Sequence, residues 1–110
     1  MAVTSKVLIE SKTMETALTT QYTAVNATAI IDKFTATNVT AANATIDVHL
    51  VPPSGAANAT NLIVDGRVVA AGETYTFPGI VGHGLASGGF IATMGTAARL
   101  VIRCQGREIT

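Results

Sequence analysis

A single cysteine, Cys104, excludes an intrachain disulfide, so nothing in the chain argues for an oxidising compartment. There is no tryptophan, and the aromatic side chains are Tyr22, Phe34, Tyr75, Phe77 and Phe90. A sugar site that stacks rings on exposed aromatic faces has little to build on. Charge is scarce, 13% of the chain against about 25% in ordinary soluble domains, and acids balance bases at seven each. Zero net charge provides no basic face for nucleic acid and no acidic face for cations. No apolar run approaches the ~18 residues that span a membrane. The opening residues, MAVTSKVLIESK, lack the apolar segment of a secretory signal. What remains for the surface is Thr, Ala, Asn and Gly, without the charge that keeps small domains apart. Such a surface suits a protein packed among neighbours. A monomer with a neutral, threonine-rich coat is the plainer alternative.

At 110 residues the chain is expected to form one domain, 1–110. Its patterning is that of strands. Residues 5–11 place Val7 and Ile9 on one face, Lys6 and Glu10 on the other. Residues 45–50 alternate, with Ile46, Val48 and Leu50 inward and Thr45, Asp47 and His49 outward. Residues 74–77 alternate too, and residues 98–104 line up Ala98, Leu100, Ile102 and Cys104. Residues 21–25, 29–37 and 62–64 are further candidates, and Asp65-Gly66 before Val68-Val69 predicts a tight hairpin. Residues 15–18 make at most one helical turn; Pro52-Pro53-Ser54-Gly55 and Pro78-Gly79 read as turns. Seven to eight short strands, with turn signals every 8–12 residues, predict an all-β, antiparallel β-sandwich or jelly roll.

Four segments fit the N-x-[ST] pattern: Asn26-Ala27-Thr28, Asn38-Val39-Thr40, Asn43-Ala44-Thr45 and Asn58-Ala59-Thr60. Without a secretion signal, glycosylation lacks its context. The motifs fall between candidate strands, where asparagine tolerates left-handed backbone and bonds the chain two residues on. Turn chemistry is therefore the expected role.

No catalytic constellation stands out, and no catalytic, cofactor or metal residue is assigned. His49 lies on a polar strand face and His83 in a glycine-rich loop, both expected to be exposed and neither at ligand spacing to a cysteine or carboxylate. Cys104 reads as a small buried hydrophobe. The acids are scattered, and none proposes a glycosidase pair. Asp32 interrupts the face of Ile30, Phe34 and Ala36; it pairs with a base, Arg99 or Arg103, or marks a bulge. The stretch 79–89 holds five of the ten glycines but no phosphate-loop lysine. It reads either as a mobile arm seated on a neighbouring subunit or as a wide connection across the sandwich.

The order of segments resembles a family of small virion proteins of tailed bacteriophages. The resemblance runs through Gln21-Tyr22-Thr23-Ala24-Val25, Ala29-Ile30-Ile31-Asp32-Lys33-Phe34-Thr35-Ala36-Thr37-Asn38 and Val48-His49-Leu50-Val51-Pro52. It continues in Ala71-Gly72-Glu73-Thr74-Tyr75, Gly79-Ile80-Val81-Gly82-His83 and the final Ile102-Arg103-Cys104-Gln105-Gly106-Arg107-Glu108-Ile109-Thr110. Where that family often has a Val-Pro-Ala-Gly turn, this chain has Val25-Asn26-Ala27-Thr28. The resemblance implies a non-enzymatic β-sandwich without cofactors, made in the bacterial cytoplasm and incorporated into the virion. The expected role is a capsid decoration or cement protein, a homotrimer docked on the major capsid protein through many weakly polar contacts. A tail, collar or baseplate component is the first alternative and a carbohydrate-binding sandwich the second. Neither nucleic acid nor membrane is an expected partner. Residues 79–89 and 1–4 are the expected contact segments.

Overall fold

The computed structural model describes residues 2–96 and 100–110. Among these it is all-β: β1 (Val3–Thr13), β2 (Thr19–Thr23), β3 (Thr28–Asn38), β4 (Ala44–Val51), β5 (Leu62–Val69), β6 (Thr74–Thr76), β7 (Gly84–Leu85), β8 (Phe90–Gly95) and β9 (Leu100–Ile109). One 3₁₀ turn, Ala59–Asn61, precedes β5. Two antiparallel sheets pack as a sandwich, one ordered β1-β9-β3-β6 with β7 beside β3, the other β2-β8-β4-β5. The pairing is nested: β1 with β9, β2 with β8, β3 with β6, β4 with β5. That is a long hairpin rolled on itself, the connectivity of a jelly roll. β1 and β3 are eleven residues long, well beyond the short strands expected. No helix among the described residues is long and apolar enough to cross a membrane.

The core lies between the sheets. Phe34, Ile31, Ile46, Ile91, Leu100 and Ile102 are fully buried there. Phe34 meets Phe77 edge-on at 5.3 Å, and Phe77 meets Tyr75 at 4.8 Å. Each such pair contributes about 0.5–1.5 kcal/mol beyond area burial. Met14, in the predicted one-turn helix's approach, instead anchors the β1–β2 connection, fully buried. Leu100, Ile102 and Cys104 face inward as their alternation requires; Ala98, the first member of that face, lies outside the described residues.

Three bulges explain where simple alternation fails. In β3, Ile31 opposes Gly106 and Lys33 opposes Gln105, leaving Asp32 as an extra residue. A bulge shifts the parity of everything on one side of it. Hence Ala29 and Ile31 are buried before Asp32, and Phe34 and Ala36 after it, while Ile30 is only partly covered. The expected Ile30–Phe34–Ala36 face is therefore corrected, and the bulge reading of Asp32 holds. In β1 the extra residue is Leu8, so Leu8 and Ile9 are both buried and Val7 is not. The third replaces the expected hairpin. Asp65 and Gly66 oppose the single residue Asp47, so residues 62–69 form one continuous strand. Gly66 takes φ +60°, as a glycine bulge needs, and its N–H donates to Asp47 Oδ1 at 2.6 Å.

The bulges at Leu8 and Asp32 flank β9 at one level, and Gly106 sits between them. A Cβ there would lie 2.3 Å from the Ile30 carbonyl oxygen and 2.7 Å from Leu8 Cδ1. Glycine is required because β9's neighbours on both sides press against its backbone.

Candidate interaction surfaces

The candidate chemical residues are dispersed. Cys104 is fully buried in the core, and that burial pushes its thiol up to about 12. His83 is exposed as expected, but His49 is not: it is 8% exposed. The β4–β5 connection folds back over it, and Nδ1 lies 2.9 Å from Asn61 Oδ1. The Asn61 amide is itself oriented by the Asn58 N–H and the Ala56 carbonyl, so the histidine proton sits on Nδ1. Among the described residues no three of His, Cys, Asp and Glu converge. Asp32 pairs with neither predicted arginine: Arg103 goes to Glu10 at 3.0 Å, and Arg99 lies outside the described residues. Its partner is Arg107, whose Nε lies 3.1 and 3.0 Å from the two carboxylate oxygens. The bulge carries Asp32 to the outer face, where that arginine waits.

One polar cluster escaped sequence reasoning. Glu108 follows Leu100, Ile102, Cys104 and Gly106 on the inward register of β9, opposite Ala29. Its carboxylate accepts a short hydrogen bond from the Tyr22 hydroxyl on the other sheet and an ion pair from Lys6 at 3.2 Å. The Tyr22 bond, then Lys6, hold Glu108 below the usual carboxylate range. Burial, reinforced by Glu108, raises the Tyr22 phenol well above its ordinary value. The signal was the even-numbered inward face of β9 carried two residues further.

The N-x-T motifs reuse one device twice. Asn38 Oδ1 accepts from the Thr40 N–H at 3.0 Å and its hydroxyl at 2.8 Å. Asn58 Oδ1 accepts from the Thr60 N–H at 2.9 Å and its hydroxyl at 2.5 Å. Asn38 is fully buried and does more: Nδ2 donates to the carbonyls of Ala42 at 2.7 Å and Val69 at 3.0 Å. Asn26 supplies a left-handed turn residue, φ +53°, and Asn43 Oδ1 accepts from the Ala71 N–H at 3.3 Å. Turn chemistry thus accounts for Asn26, Asn38 and Asn58, while Asn43 ties its connection to the distant Ala71.

Neither expected contact segment is a free arm. Gly82 donates to Ile31, Ile31 donates to His83, and β7 pairs with β3, so the glycine-rich stretch is a connection stitched along the edge of its own sheet. At the other terminus Ala2 and Thr110 exchange both backbone hydrogen bonds. Met1 lies outside the described residues.

The surface has three regions of distinct character. The outer face of the β1-β9-β3 sheet carries the ion pairs Arg103–Glu10 and Arg107–Asp32. The free edges of β5 and β6 border an apolar groove of about 280 Å³ lined by Ile63, Val64, Tyr75, Phe77 and Pro78, with Asp65 and Arg67 at its rim. The Arg67 guanidinium carbon lies over the Tyr75 ring, 3.9 Å from its centroid. The third region is a set of loops at one end of the sandwich, residues 24–27, 52–61 and 85–89, which include no Asp, Glu, Lys or Arg; the start of β1 and the end of β9 lie at the same end. Two of these loops are tied together: Ala24 donates to Gly89, Gly88 to Ala24, and the Asn26 N–H to Ser87 Oγ. Val25 is 68% exposed, and Pro52, Pro53 and Ala86 are exposed in the other loops of this end. No family model, curated protein or solved structure matches the chain.

Proposed function

We propose that this chain is a structural protein of a tailed-bacteriophage virion: a decoration or cement protein that docks on the major capsid lattice as a trimer. The observation that carries the reading is the set of uncharged loops at one end of the sandwich. Docking these loops desolvates no Asp, Glu, Lys or Arg side chain of theirs, and the hydrogen bonds between residues 24–26 and 87–89 order two of them in advance. β3 alone runs ~36 Å, so the 46 Å axis follows the strands and the end measures about 26 by 20 Å. A cross-section of roughly 500 Å² limits each copy to a small contact, where a standard interface removes ~800 Å² of accessible surface per partner. One copy would bind weakly; three held side by side would bind together, which is the logic of a multivalent cement. The jelly-roll connectivity supports the same reading, since viral capsid domains share it. Lectin domains share it too, but here the Tyr22 hydroxyl is committed to Glu108 and the Tyr75 face to Arg67. That favours the virion over the sugar-binding alternative.

The test is mass spectrometry of purified particles, with stoichiometry against the major capsid protein. Copy numbers on the order of hundreds are expected for a lattice cement. A few tens or fewer would move the protein to tail, collar or baseplate, and absence from particles would overturn the reading. Val25→Asp should reduce occupancy without unfolding the chain.

A further inference from the structure

We propose that the groove between β5 and β6 receives a second copy of this chain, with Asp65 of one copy meeting Lys33 of the next. The argument starts from a census of charge. Among the described residues, Lys6, Lys12, Arg103 and Arg107 each have a carboxylate partner. Arg67 lies on Tyr75, Asp47 accepts from the Gly66 N–H, and Glu73 accepts from the Ala70 N–H. Lys33 and Asp65 are left over, one of each sign, both exposed.

Their surroundings are complementary as well. Asp65 stands at the mouth of an apolar groove whose rim exposes Ile63, on a strand whose outer edge has no partner. Lys33 stands over a shallow hollow of about 190 Å³ with Thr35, Gln105 and Arg103, whose own charge is taken by Glu10. Exposed Val81 is near, because its neighbour Gly82 donates to Ile31, two residues from Lys33. A cation beside an exposed valine is what an apolar groove with a carboxylate at its rim would accept. The glycine bulge at Asp65-Gly66 bends β5 and raises its twist, which works against continuing the sheet, so the contact is made by side chains. An exposed ion pair adds little affinity; it sets register and penalises wrong partners, while the groove supplies the apolar burial. The contact would hold the copies of the proposed trimer side by side, and to that extent rests on that reading.

Sedimentation velocity of the full chain, from micromolar to near-millimolar concentration, tests it. Wild type should self-associate. Lys33→Glu and Asp65→Lys should each weaken association by about tenfold or more, because like charges then meet. The double variant Lys33→Glu/Asp65→Lys should recover it. Neutral Lys33→Gln and Asp65→Asn should fall between, and circular dichroism should show the fold unchanged throughout. A wild type monomeric across the range, singles that associate like wild type, or a double no better than the singles would each overturn the contact. A dimer that obeys the same pattern would support the contact and remove the trimer from the proposed function. An obedient trimer absent from particles would leave the contact standing and remove the virion reading.

Discussion

Replacing Asn38 by alanine deletes four hydrogen bonds around a side chain with no solvent exposure. The site joins two connections: the amide holds Ala42 in the β3–β4 turn and Val69 at the end of β5, and the Asn38 backbone pairs with Gly72 and Glu73. Each lost bond costs about 0.5–1.5 kcal/mol, and a buried carbonyl left unpaired costs about 1–3 kcal/mol. With partial relaxation and water entering the turn, the total should be roughly 3–5 kcal/mol, a large share of the ~5–15 kcal/mol that holds a domain together. Urea denaturation followed by circular dichroism measures it. Two comparisons isolate the cause. Asn38→Asp keeps the size but aims a carboxylate oxygen at two carbonyl oxygens, and should cost as much with no cavity at all. Asn58→Ala removes the same Asx device from an exposed turn and should cost about 1 kcal/mol. An Asn38→Ala penalty below about 1 kcal/mol, or equal penalties at Asn38 and Asn58, would refute the claim that burial makes this motif matter.

Gly106→Ala places a methyl against the Ile30 carbonyl oxygen and Leu8 Cδ1, contacts that require backbone movement, and should destabilise by more than about 2 kcal/mol in the same assay. Acid should act through Glu15 and Glu108. Gln21, then Lys12, draws Glu15 down from 4.5 to about 2, and Tyr22, then Lys6, lowers Glu108. Carboxylates lowered in the fold add stability above their unfolded value that disappears as pH falls through the folded one. Stability should therefore decline between pH 4.5 and about 2, and Glu108→Gln should flatten the profile more than Glu15→Gln, whose side chain is 42% exposed and screened by water. Equal profiles for wild type and Glu108→Gln would count against the inter-sheet Tyr22–Glu108 bond.

The sandwich was legible because two-residue alternation survives wherever the ladder is regular, as in residues 100–104 of β9 and 44–48 of β4. It was misread wherever one residue is extra. Asp65-Gly66 looks identical in a two-residue hairpin and in a glycine bulge; only the partner strand, with Asp47 to cap Gly66, decides between them. The buried state of His49 depends on a connection folding back, through Asn61, over the outside of its own sheet, which no local pattern encodes. The uncharged loops are separate in the sequence, and two of them become one surface only when Ala24 meets Gly88 and Gly89. The leftover charges were invisible for the same reason, since a charge is left over only relative to partners placed by the fold.

Nested pairing has a temporal consequence. β1 leaves the ribosome before the other eight strands, yet among the described residues its ladder partner is β9, the last of them. At ~5–20 residues per second, β1 waits several seconds as an unpaired apolar strand while the β4–β5 ribbon can already close. Lys6 and Lys12, which look incidental in the finished sandwich, put charge on that orphan strand, and charge of this kind works against pairing with another nascent chain.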